Sequence, residues 1–242
     1  MSFIIYNAIF LFNRVAIGSF QHILPIVLAI LFAIVFIRFA KRRLCKSQQN
    51  KALHILASFI SFVVVMFHVH KMSIGDYNFS TDLPLYLCSL MGLLIPVFSY
   101  YRSYLVYEIL LFWVIGGTLQ GVLTPDIALG YPSFDYFRYW IVHLGLLVVV
   151  FYATFVFNMR PTIKSVFKSV AGLLVYVILM VAVNKLLNAN YFYLNAKPES
   201  ASILDYFGDW PWYIIVVIFI IIPFFLLIYM PFYIVEKTKA NK

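Results

Sequence analysis

Charged side chains are scarce in this chain: they make up 11% of its 242 residues, where a soluble domain carries roughly a quarter. A water-facing surface cannot be built from so little charge, so a soluble globular fold is excluded. Cysteine is nearly absent as well, with two residues, Cys45 and Cys88, which rules out a disulfide framework or a thiolate metal cluster. There is no glycine-rich phosphate loop, no HExxH and no HxxxH pattern, so nucleotide-phosphate and zinc-hydrolase chemistry lack their usual motifs. No metal or organic cofactor is expected. The acidic residues are few, nine against 18 lysines and arginines. In a soluble protein the net charge of +9 would point to nucleic acid. Here it reads as a topology signal, and no nucleic-acid partner is expected.

What the chain does have is hydrophobic residues, 64% of all positions. They fall in seven apolar segments, about 21–40, 52–70, 84–101, 104–123, 139–157, 166–187 and 211–234. Each is close to the roughly 20 residues that cross a bilayer as a helix. Lipid cannot satisfy a free backbone amide, so spans must be helices or a closed barrel. A barrel strand would alternate in polarity, and these runs are continuous. The expected fold is therefore an all-α membrane protein, a single bundle of about seven transmembrane helices over 21–234. Residues 1–20 carry Arg14 inside an apolar stretch and no leading basic cluster. They read as an interfacial segment rather than a cleaved signal, and residues 235–242 as a tail.

Charge sets the expected orientation. Lys41, Arg42, Arg43, Lys46 and Lys51 follow helix 1, Arg102 follows helix 3, Arg160 and Lys164 follow helix 5, and Lys237, Lys239 and Lys242 follow helix 7. All fall on one side of a seven-helix arrangement, the cytoplasmic side by the positive-inside rule. Asp76, Asp82, Asp126, Asp135, Glu199, Asp205 and Asp209 fall on the other. The expectation is an outside N terminus, a cytoplasmic C terminus and residence in the cell membrane. Cys45 and Cys88 then lie on opposite sides and do not pair.

Polar groups inside a membrane are costly, and they tend to be paired or functional. Here they gather at the outer level: His68 and His70 on helix 2, Cys88 on helix 3, Thr118, Gln120 and Thr124 on helix 4, His143 on helix 5, Asn184 and Asn188 on helix 6. Helical spacing aligns His54, Ser58, Ser61 and His68 on one face, Trp113, Gly117, Gln120 and Thr124 on another, and Tyr176, Met180, Asn184 and Asn188 on a third. Such residues also meet headgroups without any chemistry, and the Gly117–Gly121 GxxxG pattern favours helix packing. Cys88 and His143 stand apart, because an imidazole can turn a thiol into a nucleophile. Asp82 and Pro84 resemble the cap and first turn of helix 3, which puts Cys88 in its second turn. The stretch 188–210 is a long outer loop, functional or merely capping. His68 and His70 are too close in sequence to share a helix face as metal ligands.

Several strings carry a resemblance: LPLYLC (Leu83–Cys88), FWVIGGTLQGVLTPD (Phe112–Asp126), FRYWIVH (Phe137–His143) and NANYFYLNAKPESASILDYFGDWPWY (Asn188–Tyr213). In this order they resemble the YwaF-like family of bacterial membrane proteins, which is similar to eukaryotic transmembrane protein 164, an acyltransferase that moves acyl chains onto lysophospholipid. The resemblance implies transfer through a cysteine acyl-enzyme with a histidine base, and the matching residues are Cys88 and His143. It departs at Tyr86, where a histidine would be expected. The resulting expectation is a phospholipid acyl donor and a lysolipid, glycolipid or lipoprotein acceptor. Thr118, Gln120, Asn184, Tyr86 and His68 are the candidates for substrate binding or oxyanion contact. A lipid or small-solute binding or transport protein is the alternative, although no inverted repeat supports transport.

Overall fold

A computed structural model describes residues 14–240. Among the described residues the chain is all helical, with seven long helices and no strand. These are α1 (Phe20–Arg43), α2 (Lys46–Ser73), α3 (Leu87–Tyr101), α4 (Tyr104–Leu123), α5 (Phe134–Phe155), α6 (Ile163–Leu187) and α7 (Trp212–Ala240). All but α3 are long and apolar enough to cross a membrane. The helices begin and end for local reasons. The Ser133 hydroxyl accepts the Tyr136 N–H at 3.1 Å to start α5, and Thr162 and Ser165 form a capping box at the start of α6. Arg102 and Asn188, both in the left-handed region at φ 51°, stop α3 and α6.

The loops collect at two ends. At the basic end Arg102 donates to Asn50 at 3.1 Å, and the Tyr152 hydroxyl to the Gln49 carbonyl at 2.9 Å. At the acidic end Lys71 pairs with Asp82 at 3.1 Å, Arg14 pairs with Asp126 and Glu199, and the Tyr136 hydroxyl donates to the Gln21 carbonyl at 2.8 Å. The two charge sets thus mark opposite ends of one bundle. Residues 1–13 of the expected interfacial segment lie outside the described residues. Residues 14–19 form an irregular turn, not a helix. Val15 is buried there, and its N–H donates to the Ile127 carbonyl at 3.1 Å.

α5 is the central helix. Two thirds of its apolar span (67%) is buried, against 6% for α1. It packs on α1, α2, α3 and α4, while α6 and α7 close against the far side of α4. Small residues set these approaches. A Cβ on Gly145 would sit 2.7 Å from Ile60 Cδ1, and one on Gly92 would sit 3.1 Å from Val142 Cγ1. On the basic side the buried carboxylate of Glu108 is satisfied within the bundle. It accepts from the Ser165 hydroxyl at 2.5 Å and from Lys168 at 2.7 Å.

α3 is the exception in length. Its 15 residues rise about 22 Å, short of a hydrocarbon core of about 30 Å. Its C-terminal end is level with the basic loops through the Arg102–Asn50 bond, so the shortfall falls at the acidic end. The start of α3 is therefore recessed, and the 188–210 loop closes over it.

Two measurements check this fold. Gly145→Ala should destabilise by about 1–3 kcal/mol in a thermal or denaturant melt in detergent, and Ile60→Val in the same chain should restore part of the loss. In a Cys88→Ala background, exposed Cys45 should react with an impermeant maleimide only after permeabilisation of the cells. Labelling on intact cells would invert the charge-based orientation.

Candidate functional site

The recessed start of α3 holds Cys88. Tyr86 is the N-cap and Leu87 the first helical residue, so Cys88 lies in the first turn and not the second. The Leu83–Tyr86 stretch is non-helical and carries its own turn, with the Leu85 N–H on the Leu83 carbonyl at 2.7 Å. The first α-type bond of the helix runs from the Leu90 N–H to the Tyr86 carbonyl at 2.9 Å. The N–H groups of Leu87, Cys88 and Ser89 precede it, and they are the orphan donors that every helix start presents.

Cys88 Sγ lies 3.4 Å from Thr118 Oγ1. Thr118 is fully buried, and an irregularity in α4 aims it at the thiol. Residues Val114–Thr118 form a π turn, in which the Leu119 N–H reaches the Val114 carbonyl. One extra residue in the turn shifts the register of everything after it, and such turns recur at functional sites. The expected α4 face is broken here. The Trp113 Nε1–H donates to the Ser169 carbonyl on α6 at 3.0 Å, whereas Gly117 faces Leu87 on α3, with 3.5 Å between its would-be Cβ and Leu87 Cδ2.

His143, half-buried on α5, meets α4 one turn beyond Thr118. A Cβ on Gly121 would lie 3.0 Å from His143 Nε2 and 3.0 Å from the Tyr139 hydroxyl. His143 Nδ1 is 2.8 Å from the Tyr139 carbonyl. A carbonyl only accepts, so Nδ1 carries the hydrogen and Nε2 of the neutral ring keeps its lone pair. The Tyr139 ring stacks on the imidazole at 3.9 Å, and its hydroxyl donates to the Gly121 carbonyl at 2.8 Å. Cys88 and His143 thus flank the same stretch of α4, at Thr118 and Gly121. No hydrogen bond joins them directly among the described residues. Of the two GxxxG glycines only Gly121 is at a close approach, and what packs against it is the candidate base itself.

The other expected residues divide. Gln120 is half-buried beside this stretch, and its side chain makes no hydrogen bond among the described residues. Tyr86 lies under the 188–210 loop, its ring 5.3 Å from Tyr191 and 5.5 Å from Tyr193. Asn184 belongs to that loop: its Nδ2 donates to the Tyr191 carbonyl at 2.9 Å, and its Oδ1 accepts the Tyr191 N–H at 2.8 Å. Its amide is spent on fastening the loop and not on Cys88. His68, at the end of α2, has both ring nitrogens buried and without a partner. The α2 face does meet α3, through His54 Nδ1 and the Ser99 hydroxyl at 2.8 Å, and through the Ser61 hydroxyl on the Leu93 carbonyl at 3.0 Å.

The loop is a tied cover. The Tyr191 hydroxyl donates to the Phe79 carbonyl at 2.7 Å and accepts the Leu83 N–H at 2.9 Å. Burial pushes this phenol up to about 12, so it stays a neutral donor at ordinary pH. The Trp210 Nε1–H donates to the Leu194 carbonyl at 3.0 Å, and the Tyr213 hydroxyl to the Tyr193 carbonyl at 2.7 Å. A surface cavity of about 560 Å³ lies beside the cover, lined by Gly75–Ser80, Leu187 and Asn188. It includes neither Cys88 nor His143.

Arg138 was not among the residues singled out by depth or spacing. It sits on α5 five residues before His143 and is paired with Asp135 at 2.5 Å, its side chain only 18% exposed. Its Nη1 is 3.5 Å from the buried Ser89 hydroxyl, next to Cys88. The signal in the sequence was an arginine inside the FRYWIVH string, one residue before the 139–157 apolar segment.

Seven apolar helices with a polar cluster recessed at one end define a multi-pass helical membrane protein. The chain belongs to the TMEM164 family, whose model matches residues 17–229. This shows the expected relation to transmembrane protein 164 and leaves the YwaF-like label without separate support. No curated protein and no solved structure matches the chain.

The Gly121 approach gives a direct check on the site. Gly121→Ala would press a methyl group onto the His143 ring and should cut any Cys88-dependent acyl turnover by about a hundredfold, with only a small change in melting temperature. Equal turnover in the two proteins would show that His143 is not held in place by Gly121.

Proposed function

We propose that this protein is a membrane-embedded acyltransferase that carries a fatty acyl chain through a thioester on Cys88. The donor is a membrane phospholipid, and the acceptor a lysolipid, glycolipid or lipoprotein amine at the same leaflet. The observation that supports it best is the pairing of a recessed thiol with a buried hydroxyl at 3.4 Å and an imidazole whose Nε2 faces the same stretch of α4. The family relation adds to it, through the chemistry that the resemblance implies.

The steps balance as ordinary acyl transfer. His143 Nε2 takes the Cys88 proton, with the Thr118 hydroxyl as the adjacent partner of the sulfur. The thiolate attacks the ester carbonyl, the C–S bond forms, and the ester C–O bond breaks. The leaving alkoxide takes the proton from His143, as a general acid–base pair requires. The acceptor then gives its proton to His143 and attacks the thioester, and the thiolate leaves. Charge on the carbonyl oxygen would be met by the orphan N–H groups at the start of α3 and by Gln120 or Thr118, since preorganised donors are the largest electrostatic contribution in such reactions. Water in place of the acceptor would make the same site a lipase.

Intact-protein mass spectrometry after incubation with phospholipid tests this reading. The expected result is a hydroxylamine-labile gain of one acyl chain on the wild type, none on Cys88→Ala, and a loss of about a hundredfold or more in the rate of gain on His143→Ala. An adduct that persists on Cys88→Ala would overturn the role of Cys88. The absence of any adduct, with acyl transfer also undetected by lipid analysis, would favour a binding or transport protein that uses the same polar cluster without covalent chemistry.

A further inference from the structure

The five histidines are not equally provided for. His22 uses both ring nitrogens: Nδ1 accepts the Gly18 N–H at 2.8 Å, and Nε2 donates to the Val122 carbonyl at 2.8 Å. His54 and His143 each have Nδ1 bonded, and His70 is exposed. His68 alone is held with both nitrogens out of solvent and with no partner. A buried polar group without a partner is destabilising, and it marks a place where another polar group belongs.

Arg138 lies beside it. The guanidinium stacks over Phe67 at 4.1 Å, and the His68 ring meets the same phenyl group edge-on at 5.5 Å. Asp135 takes one edge of the guanidinium, through Nε at 3.1 Å and Nη2 at 2.5 Å. Nη1 has only the long 3.5 Å approach to Ser89, so the edge turned toward α3 keeps donors to spare. The other nearby carboxylate, Asp82, is covered by Lys71 through both oxygens at 3.1 Å. Asp76 also reaches Lys71, at 3.2 Å. A cation and a buried hydroxyl therefore meet one residue along α3 from Cys88, with an unpartnered imidazole against the same phenyl group as the cation and the local carboxylates already neutralised.

We infer that Arg138, His68 and Ser89 form the subsite for the phosphodiester of a glycerophospholipid. A guanidinium edge suits phosphate oxygens, and all three side chains can donate. In a glycerophospholipid the phosphate and the acyl esters share one three-carbon backbone, so a phosphate held at Ser89 keeps an ester near Cys88. The inference rests on the acyl-transfer reading for its purpose, but its test does not need turnover.

The test is native mass spectrometry of the full chain with a dialkyl phosphatidylcholine, which has no ester to cleave, against the matching dialkylglycerol, which has no phosphate. Wild type and Cys88→Ala should retain the phosphate-bearing lipid about tenfold or more over the phosphate-free one. Arg138→Gln combined with Asp135→Asn, which leaves no orphan carboxylate, should lose that preference, and so should His68→Phe. Arg138→Lys should keep part of it. Retention of wild-type preference by either loss variant would overturn the subsite, as would equal binding of the two lipids by wild type. Displacement of the lipid by millimolar inorganic phosphate would make this a free-anion site and overturn the lipid assignment. A wild type that forms no thioester from an ester phospholipid and yet keeps the phosphate preference would instead sink the transfer reading and leave the subsite standing.

Discussion

A hydrocarbon surround offers a backbone N–H or carbonyl nothing to bond, and the architecture follows from that one restriction. Seven helices satisfy their own main chains, and the places where regular helix is interrupted must find bonds elsewhere. The π turn of α4 does so with the longer Leu119–Val114 bond. The stretch before α3 leans on the Tyr191 hydroxyl. The cover beyond α6 is met by the Asn184 amide, which mimics a strand-like pair with the main chain of Tyr191. These three interruptions lie at the same end of the bundle. They are where the chain can present polar groups below the surface, and Cys88, Thr118 and His143 are found among them.

Charge at that end is organised on the same principle. Arg14, Lys71, Arg138 and Lys197 each have a carboxylate partner. The exposed pairs, such as Lys197–Asp209 at 3.8 Å, add little stability. Those around Asp82 and Asp126 are more sheltered, and they tie separate loops together. Asp126 receives Arg14 from before α1, the Ser200 N–H at 3.3 Å and the Tyr193 hydroxyl at 3.4 Å from the cover. The cover is thereby held to the α4–α5 segment as well as to α3.

Hydropathy located all seven helices because lipid-facing runs are long and uninterrupted. It missed their polar ends. α2 starts at Lys46 and not near 52, since its first turn is solvated and is capped by the Cys45–Gln48 pair. α5 starts at Phe134 and not near 139, since Asp135 and Arg138 neutralise each other one turn apart and the helix runs on through them. Depth along the helices put Cys88, Thr118 and His143 at one level along with several other polar residues, because depth needs only a residue count. Facing was less legible. The α4 stripe fails because no residue type encodes a π turn, and Asn184 turns to its own loop because the position of that loop is set by tertiary contacts. Nothing in the spacing of Arg138 distinguishes an arginine at a surface from one against Phe67 and Ser89.

The π turn has a consequence for how this arrangement tolerates change. Successive residues in a helix are about 100° apart around its axis. The Val114–Thr118 turn takes up one residue more than a regular turn does, so the helix on either side keeps its facing. Removing a residue from the regular turn that follows, at Leu119 or Gln120, would instead rotate Gly121 by about 100° away from His143 while leaving Thr118 at the sulfur. The spacing of the two contacts is thus written in the number of residues between them as much as in their identity. Relatives aligned across this stretch are comparable only where they keep its length.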